Sequence, residues 1–392
     1  MHETPPLAGN GLTRGGALRL FWAAVATFLL WRGSLYLFDF LAVNLTPTMG
    51  RCRKQWQVFG AEHYFLNGFF RWDGGWYRAI VLRDYSFHTN KASSAAFYPL
   101  FPYASRYLGH VLGGPFIAGL VISNLATLGA IFYLRRIGRL LFDDQIAKLA
   151  VILCLVFPTS LFLTAFYTEG LFLFLSTAAF YYYFRGQYVY CGLLGFLAML
   201  TRSTGLVLFL ALSLDLAWRL FRRVDKPRVS MLALALIPLG LVAFMAILQY
   251  QVGEPLAFAK AVAHWGRENV WPWVTVAKVL REAKWSFPRS AANVQALIDL
   301  GCAMAFLGIS LVMALRRERV ALWSFVLLGT LLPLSTHLIA STNRYVLSLF
   351  PAFFWLAGVC QKRPQLERYL IFGFSFFLCI YSVRFMQCGW AG

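Results

Sequence analysis

The amino-acid sequence predicts an all-α polytopic membrane protein, and three observations carry that expectation. Only 13% of the 392 residues are charged. A soluble chain carries roughly 25%, so this one lacks the polar surface to cover a water-facing exterior. The residues are 59% hydrophobic, with a mean hydropathy of +0.62. Apolar runs also recur along the chain, many close to the roughly 20 residues needed to cross a bilayer.

Eleven runs read as transmembrane helices: Leu18–Val43, Gly114–Leu134, Ile146–Phe166, Glu169–Phe184, Tyr188–Thr201, Gly205–Leu220, Ser230–Tyr250, Val294–Leu315, Val320–Leu338, Tyr345–Cys360 and Tyr369–Met386. The polar stretch before the first run ends in Arg14 and Gly16. The run after it is too long for a signal-peptide core and lacks a small-residue cleavage site, so it reads as an uncleaved first span. Short basic connectors at Arg135/Arg136/Arg139, Arg185, Arg222/Arg223/Lys226/Arg228, Arg316/Arg317/Arg319 and Lys362/Arg363/Arg368 fall on one side when Met1 is cytoplasmic. Two long loops, 44–94 and 251–293, then face the other side of a single integral membrane domain. Segment 95–112 is apolar, but counting it as a span would invert Arg135, Arg136 and Arg139. With Pro99 and Pro102 in its first turns and Arg106 and His110 interrupting it, it is expected to be a re-entrant or interfacial helix shielding the first loop.

The net charge of +20 is distributed over these connectors with no nucleic-acid-binding motif, so it reads as topology signal and attraction to anionic membrane lipids. Seven cysteines include no CxxC pair and read as neither a zinc site nor a disulfide framework. No matched pair of broken helices suggests a transporter's inverted repeat.

The 16 acidic residues are few enough to place one by one. Glu3, Asp143, Asp144, Asp225, Glu318 and Glu367 are expected on the cytoplasmic side, and Asp39, Asp215 and Asp299 near helix ends. Glu62, Asp73, Asp84, Glu169, Glu254, Glu268 and Glu282 are expected to face outward. Asp73 lies in Phe-Phe-Arg-Trp-Asp-Gly-Gly-Trp-Tyr, residues 69–77: one carboxylate among aromatic rings, followed by two glycines that permit a sharp turn. Aromatic faces pack on sugar rings, but the same pattern fits an interfacial aromatic belt with Asp73 as a helix N-cap. Arg71 and Arg78 beside it suit a lipid phosphate or bulk headgroups. Glu169 stands at a helix start, where the macrodipole favours an acid. Arg202 and Arg344 lie between apolar runs; they either snorkel to headgroups or converge on one phosphate from different helices. The second loop adds Glu254, His264, Trp265 and Arg267.

Taken in order, these pieces resemble the PIG-V family of mannosyltransferases. The resemblance runs through Arg71-Trp72-Asp73 with Tyr77, Ala96-Phe97-Tyr98-Pro99-Leu100-Phe101-Pro102, Thr168-Glu169 and Thr201-Arg202-Ser203-Thr204-Gly205. It continues through Gly253-Glu254-Pro255-Leu256-Ala257-Phe258, Trp265-Gly266-Arg267, and Arg344-Tyr345 with Phe350-Pro351. It implies a GT-C glycosyltransferase fold with the active site under the first outer loop, as in a prokaryotic relative. It implies a polyprenyl- or dolichyl-phosphate-sugar donor and a lipid or glycan acceptor. The location would be a bacterial inner membrane with a periplasmic site, or an endoplasmic reticulum membrane with a lumenal one. The eukaryotic member has a small partner subunit, which raises the same question here. The chain departs from the family at Asp84, where relatives more often carry glycine before the tyrosine.

On this reading Asp73 is the general base and Glu169 orients the acceptor or an arginine. Arg71, Trp72, Trp76, Tyr77, Tyr98, Arg202, His264, Trp265, Arg344 and Tyr345 are expected to contact substrate. Transfer proceeds with inversion; the scheme requires no cofactor and no metal, and no metal-ligand cluster is visible. The rival reading is a membrane transporter or lipid flippase.

Overall fold

In a computed structural model the protein is described at residues 14–48, 52, 56–60, 62–285 and 290–390. The polar stretch before the first span therefore lies almost wholly outside the described residues. The chain is helical throughout. The one extended pairing among the described residues is an isolated bridge between Asn269 and Thr336.

In chain order, α1 (Arg14–Leu45) leads into the first loop, which holds α2 (Tyr64–Asn67), a 3-10 turn (Gly68–Phe70) and α3 (Gly74–Arg83). Next come α4 (Leu100–Leu112), α5 (Pro115–Leu141), α6 (Asp144–Val156), α7 (Glu169–Phe184), α8 (Tyr188–Met199), α9 (Thr204–Phe221) and α10 (Leu236–Val252). The second loop holds α11 (Ala257–Ala263) and α12 (Pro272–Trp285). The chain continues through α13 (Ala291–Leu315), α14 (Val320–Leu334), α15 (Thr342–Leu347), α16 (Pro351–Gln361) and α17 (Pro364–Met386). Each of the eleven predicted spans contains a helix. Six are long and apolar enough to cross a bilayer by themselves, α10 together with the 3-10 turn before it.

Three predicted spans are broken. Ile146–Phe166 stops being α-helical at Phe157, because Pro158 disfavours helical backbone in the residue before it. Val320–Leu338 ends at Leu334, one residue after Pro333. Tyr345–Cys360 is divided into α15 and α16, with Pro351 starting the second piece. Such breaks leave backbone groups unpaired, and they are tolerated at membrane depth only where protein satisfies them. Here α5 does so: Thr127 Oγ1 donates to the Leu163 carbonyl at 2.7 Å and Ser123 Oγ to that of Tyr167 at 3.2 Å. Thr159 Oγ1 then donates to the Asn343 carbonyl at 2.9 Å, joining one break to the next.

Helix α4 occupies the segment expected to be re-entrant or interfacial. Its 13 residues rise about 20 Å, short of the roughly 30 Å hydrocarbon core. Gly113 and Gly114, at φ 82° and 129°, turn the chain straight into α5, and α4 packs along it. Arg106 of α4 also caps the C-terminal end of α3, donating from Nε to the Val81 carbonyl at 2.7 Å, from Nη2 to that of Ile80, and from Nη1 to Asp84 Oδ1. At the opposite end of α5, Arg135 and Arg139 pair with Asp144. Burial alone would raise that carboxyl, but hydrogen bonds from Arg139, Lys148 and Arg135 hold it well below the usual range.

Two expectations need correction. Cys52 and Cys388 form a disulfide with a Cα–Cα distance of 5.3 Å. Their separation of 336 residues gives no local spacing to read. The bridge is one of several ties between the first loop and the turn after α17: Tyr64 Oη donates to Gln387 Oε1 at 3.0 Å, and Trp72 Nε1 to the Gly389 carbonyl at 2.9 Å. Secondly, Asp39, Asp215 and Asp299, expected near helix ends, lie about two turns inside α1, α9 and α13, all buried and hydrogen-bonded.

Asp84 sits at φ 63°, ψ −166°. That region is almost exclusive to glycine and costs other residues about 1–3 kcal/mol. The departure at this position is thus a backbone matter, offset by the Arg106 pair. Asp84→Gly is expected to match or exceed the wild type in thermal stability, whereas Asp84→Ala, which keeps the strain and loses Arg106, falls by about 1–2 kcal/mol. Thermal unfolding in detergent measures both; a glycine variant less stable than the alanine one would refute this account.

Candidate active site

Four charged side chains from four separate segments meet in the interior. Glu169, the first residue of α7, is 2% exposed at its side chain. Its Oε1 receives Arg344 Nη2 at 2.7 Å and Nε at 3.1 Å, and lies 2.7 Å from Arg202 Nη1. The third Arg344 nitrogen, Nη1, reaches Asp73 Oδ2 at 3.0 Å. Arg202, just before α9, also donates to Thr168 Oγ1 at 3.0 Å, and Tyr77 Oη lies 3.2 Å from that same hydroxyl. Two carboxylates and two guanidiniums balance in charge.

The capping alternative for Asp73 falls away, while Glu169 does stand at the start of α7, where the macrodipole favours an acid. Asp73 occupies the N-cap position of α3, but its side chain makes no cap hydrogen bond and goes to Arg344 instead. Glu169 is committed to two arginines. Nor does Arg202 snorkel: it is 12% exposed and ion-paired.

Local structure explains the placement of Asp73. The sharp turn falls on Trp72, at φ 52°, and not on Gly74 or Gly75, which start α3 with ordinary helical backbone. The Tyr167 hydroxyl fixes the turn from below, donating to the Arg71 carbonyl at 2.8 Å and accepting the Asp73 N–H at 3.1 Å. A strained non-glycine residue beside a carboxylate is the kind of feature that marks functional sites.

Arg344 is held from behind by residues that sequence reasoning left out of the site. Asp299 of α13 accepts the Asn343 N–H at 2.9 Å, capping α15 from another helix, because Ser341 at φ 69° makes no side-chain cap of its own. Asn343 Nδ2 donates to Tyr381 Oη, which donates to Gln295 Oε1, each at 3.0–3.1 Å. The Arg344 guanidinium lies over the rings of Phe162 at 4.5 Å and Tyr167 at 4.9 Å. The one signal in sequence was an aspartate inside an apolar run.

The other expected residues divide into two groups. Tyr345 lies between the guanidiniums of Arg202 and Arg267, at 5.3 and 5.4 Å. Trp76 stacks on Phe97 and meets Trp265 edge-on at 5.3 Å, and Trp265 Nε1 is buried without a hydrogen-bond partner. These border the ion network. Arg71, Trp72 and Tyr98 belong to the scaffold. Arg71 is buried against Tyr64, Trp72 is tied to Gly389, and Tyr98 packs on Phe244 and Phe258. His264 is exposed at the end of α11, away from these contacts. Arg267, noticed in sequence but given no role, donates to the Ala340 carbonyl at 2.9 Å and has no carboxylate partner among the described residues.

No family model matches the chain, and no curated protein matches its sequence. Among solved structures the fold is shared with ArnT from Cupriavidus metallidurans bound to undecaprenyl phosphate. The TM-score is 0.51 at 14% identity, covering 88% of this chain and 62% of that one. The apo form of the same protein gives 0.50 at 16% identity over 90% and 63%. The oligosaccharyltransferase of Archaeoglobus fulgidus is more distant, at 0.41 and 13% identity. The chain thus has the GT-C fold of integral membrane proteins and spans 62% of the length of the ArnT chain.

Removing one partner of a buried ion pair typically costs about 3–5 kcal/mol. Glu169→Gln is therefore expected to destabilise the protein by about that much, and more than Asp73→Asn, since Asp73 is 23% exposed at its side chain. Thermal unfolding of the two variants decides it, and the reverse order would remove Glu169 from the centre of the network.

Proposed function

We propose that the protein is a glycosyltransferase that takes a sugar from a polyprenyl- or dolichyl-phosphate carrier and transfers it to a hydroxyl of a lipid or glycan acceptor. The carrying observation is that Asp73 alone among the network's carboxylates is partly exposed, with one oxygen on Arg344 and no hydrogen bond to the other. The GT-C fold supports the same reading, as does the undecaprenyl phosphate bound to ArnT. Mannose as the sugar rests on the PIG-V resemblance.

In this mechanism Asp73 takes the proton of the acceptor hydroxyl from about 3 Å away. The acceptor oxygen bonds to the anomeric carbon as the bond from that carbon to the phosphate oxygen breaks, with inversion. The lipid phosphate leaves as a dianion. Arg344 has all three of its donor nitrogens engaged on Asp73 and Glu169, so it sets the orientation of the base. The leaving phosphate brings charge that a neutral network does not offset. Arg267, which like Arg202 lies against the Tyr345 ring and has no carboxylate at ion-pairing distance among the described residues, supplies that charge with forked N–H groups. The rings of Trp76 and Trp265 offer a face and an unused indole N–H to the sugar.

The reaction is assigned to the non-cytoplasmic face. A disulfide at the first loop belongs to an oxidising compartment, the periplasm or a secretory lumen. The basic connectors then lie on the cytoplasmic side, as the charge rule requires.

Purified protein supplied with polyprenyl-phosphate-mannose and acceptor-containing membrane lipid should release lipid phosphate. Asp73→Asn should lower release by about 10²–10⁴-fold, the contribution of a general base, with donor binding retained. Unchanged turnover would exclude Asp73, and no release from any lipid-phosphate sugar by folded protein would point to transport. Arg267→Gln should weaken donor binding about tenfold or more, with partial recovery in Arg267→Lys; equal affinity in all three would remove Arg267 from the phosphate site.

A further inference from the structure

Arg32 lies in the middle of α1, the first apolar span, and has no carboxylate at ion-pairing distance; Asp39, two turns on, acts on it only through space. Arg32 Nε donates to Asn124 Oδ1 of α5 at 3.2 Å, and the guanidinium faces the rings of Tyr36 and Phe69, each at 5.0 Å. Its Nη1 is buried with no hydrogen-bond partner. The one carboxylate on α1, Asp39, is buried and accepts the Ser382 hydroxyl of α17. No ion pair to Arg32 exists among the described residues. Charged residues inside spanning helices normally pair with other protein groups, so an arginine that lines an open groove with no carboxylate at ion-pairing distance calls for an anion there.

A groove supplies the place for one. Leu29, Arg32, Gly33, Tyr36, Leu37 and Phe40 line a space of about 500 Å³ along a single stripe of α1. Leu29, Leu37 and Phe40 are exposed, so the groove opens where the bilayer would be. A side chain at Gly33 would meet no atom within 4 Å. Packing therefore does not demand a glycine there, and its effect is to keep the groove open beside the guanidinium. The Phe65 ring closes one end, edge-on to Tyr36 at 4.7 Å and to Phe40 at 5.6 Å.

We propose that this groove binds one anionic glycerophospholipid from the surrounding bilayer, with its phosphodiester on Arg32 and an acyl chain along Leu29, Leu37 and Phe40. A single guanidinium balances the single charge of a phosphodiester, which accepts two parallel N–H bonds from it. The dianionic phosphate of a spent polyprenyl carrier would leave one charge uncompensated, and the singly charged phosphodiester of the loaded carrier is assigned to Arg267 in the proposed mechanism. No residue of the ion network around Glu169 lines the groove, which sets it apart from the donor's reacting phosphate. The site does not depend on the glycosyltransferase reading. Its contact with that region runs through Phe69, four residues before Asp73, so the bound lipid would brace the loop that carries the proposed base.

Native mass spectrometry of the full-length protein, titrated in detergent with phosphatidylglycerol, diacylglycerol or polyprenyl phosphate, tests the site. The wild type should retain one phosphatidylglycerol about tenfold more tightly than Arg32→Gln, the worth of a charge-assisted hydrogen bond. Diacylglycerol, which lacks the phosphate, should not be retained. Gly33→Leu adds bulk to the groove from a position where a Cβ meets no atom within 4 Å, so it should unfold at about the wild-type temperature yet lose the lipid as Arg32→Gln does. Retention of phosphatidylglycerol by Gly33→Leu at wild-type strength would overturn the proposal. So would equal retention by Arg32→Gln, a polyprenyl phosphate that competes more strongly than phosphatidylglycerol in an Arg32-dependent way, or a co-purifying protein that protects this face.

Discussion

Everything around the candidate site depends on the cost of keeping Glu169 ionised inside a helical membrane domain. An isolated carboxylate in so poor a dielectric would be unaffordable, and it is kept there by two guanidiniums that arrive from distant segments. Arg344 then serves as a link in two directions. It neutralises Glu169 and, with its remaining nitrogen, holds Asp73 in the first loop. The first loop, the start of α7, the approach to α9 and the short α15 are joined by one acid that never meets solvent. Asp73 can be presented to a substrate with a fixed orientation because a buried partner fixes its neighbour.

The broken helices serve the same arrangement. Glu169 starts α7 after the break at Phe157, and Arg344 sits in the first turn of the short α15, so both charges stand near helix starts, and hydroxyls from α5 and from Thr159 take up the freed carbonyls. Gly170 belongs to this economy of space: a side chain on it would come within 2.3 Å of the Leu163 carbonyl.

Much of this was legible in the sequence, and the reasons differ from residue to residue. Apolar runs of bilayer length locate helices because lipid leaves few alternatives for the backbone, so all eleven expected spans contain one. Asp73, Glu169, Arg202 and Arg344 stood out because a charge beside an apolar run has to be explained. What could not be read was pairing. Nothing local says that Arg202 and Arg344 converge on Glu169 and leave Arg267 without a carboxylate, since the partners lie up to 175 residues apart. Asp299 lies near the start of a predicted run, and nothing local says that it caps α15 from another helix. Trp72, Tyr98 and Arg71 have the aromatic and basic character of binding residues, yet they face into the scaffold. At Asp84, what mattered was a dihedral angle, which residue type alone does not disclose.

The bond between Cys52 and Cys388 sets an order of events during synthesis. The first loop follows α1, but its covalent partner follows α17. Between them every intervening helix must leave the translocation machinery and find its neighbours. The nascent protein therefore carries the loop that holds Asp73 with an unpaired thiol until α17 has been made, and closure of that loop reports that α17 has arrived. An oxidant acting too early has no correct partner to offer Cys52, which makes the timing of thiol oxidation, and not only its occurrence, part of how this protein matures.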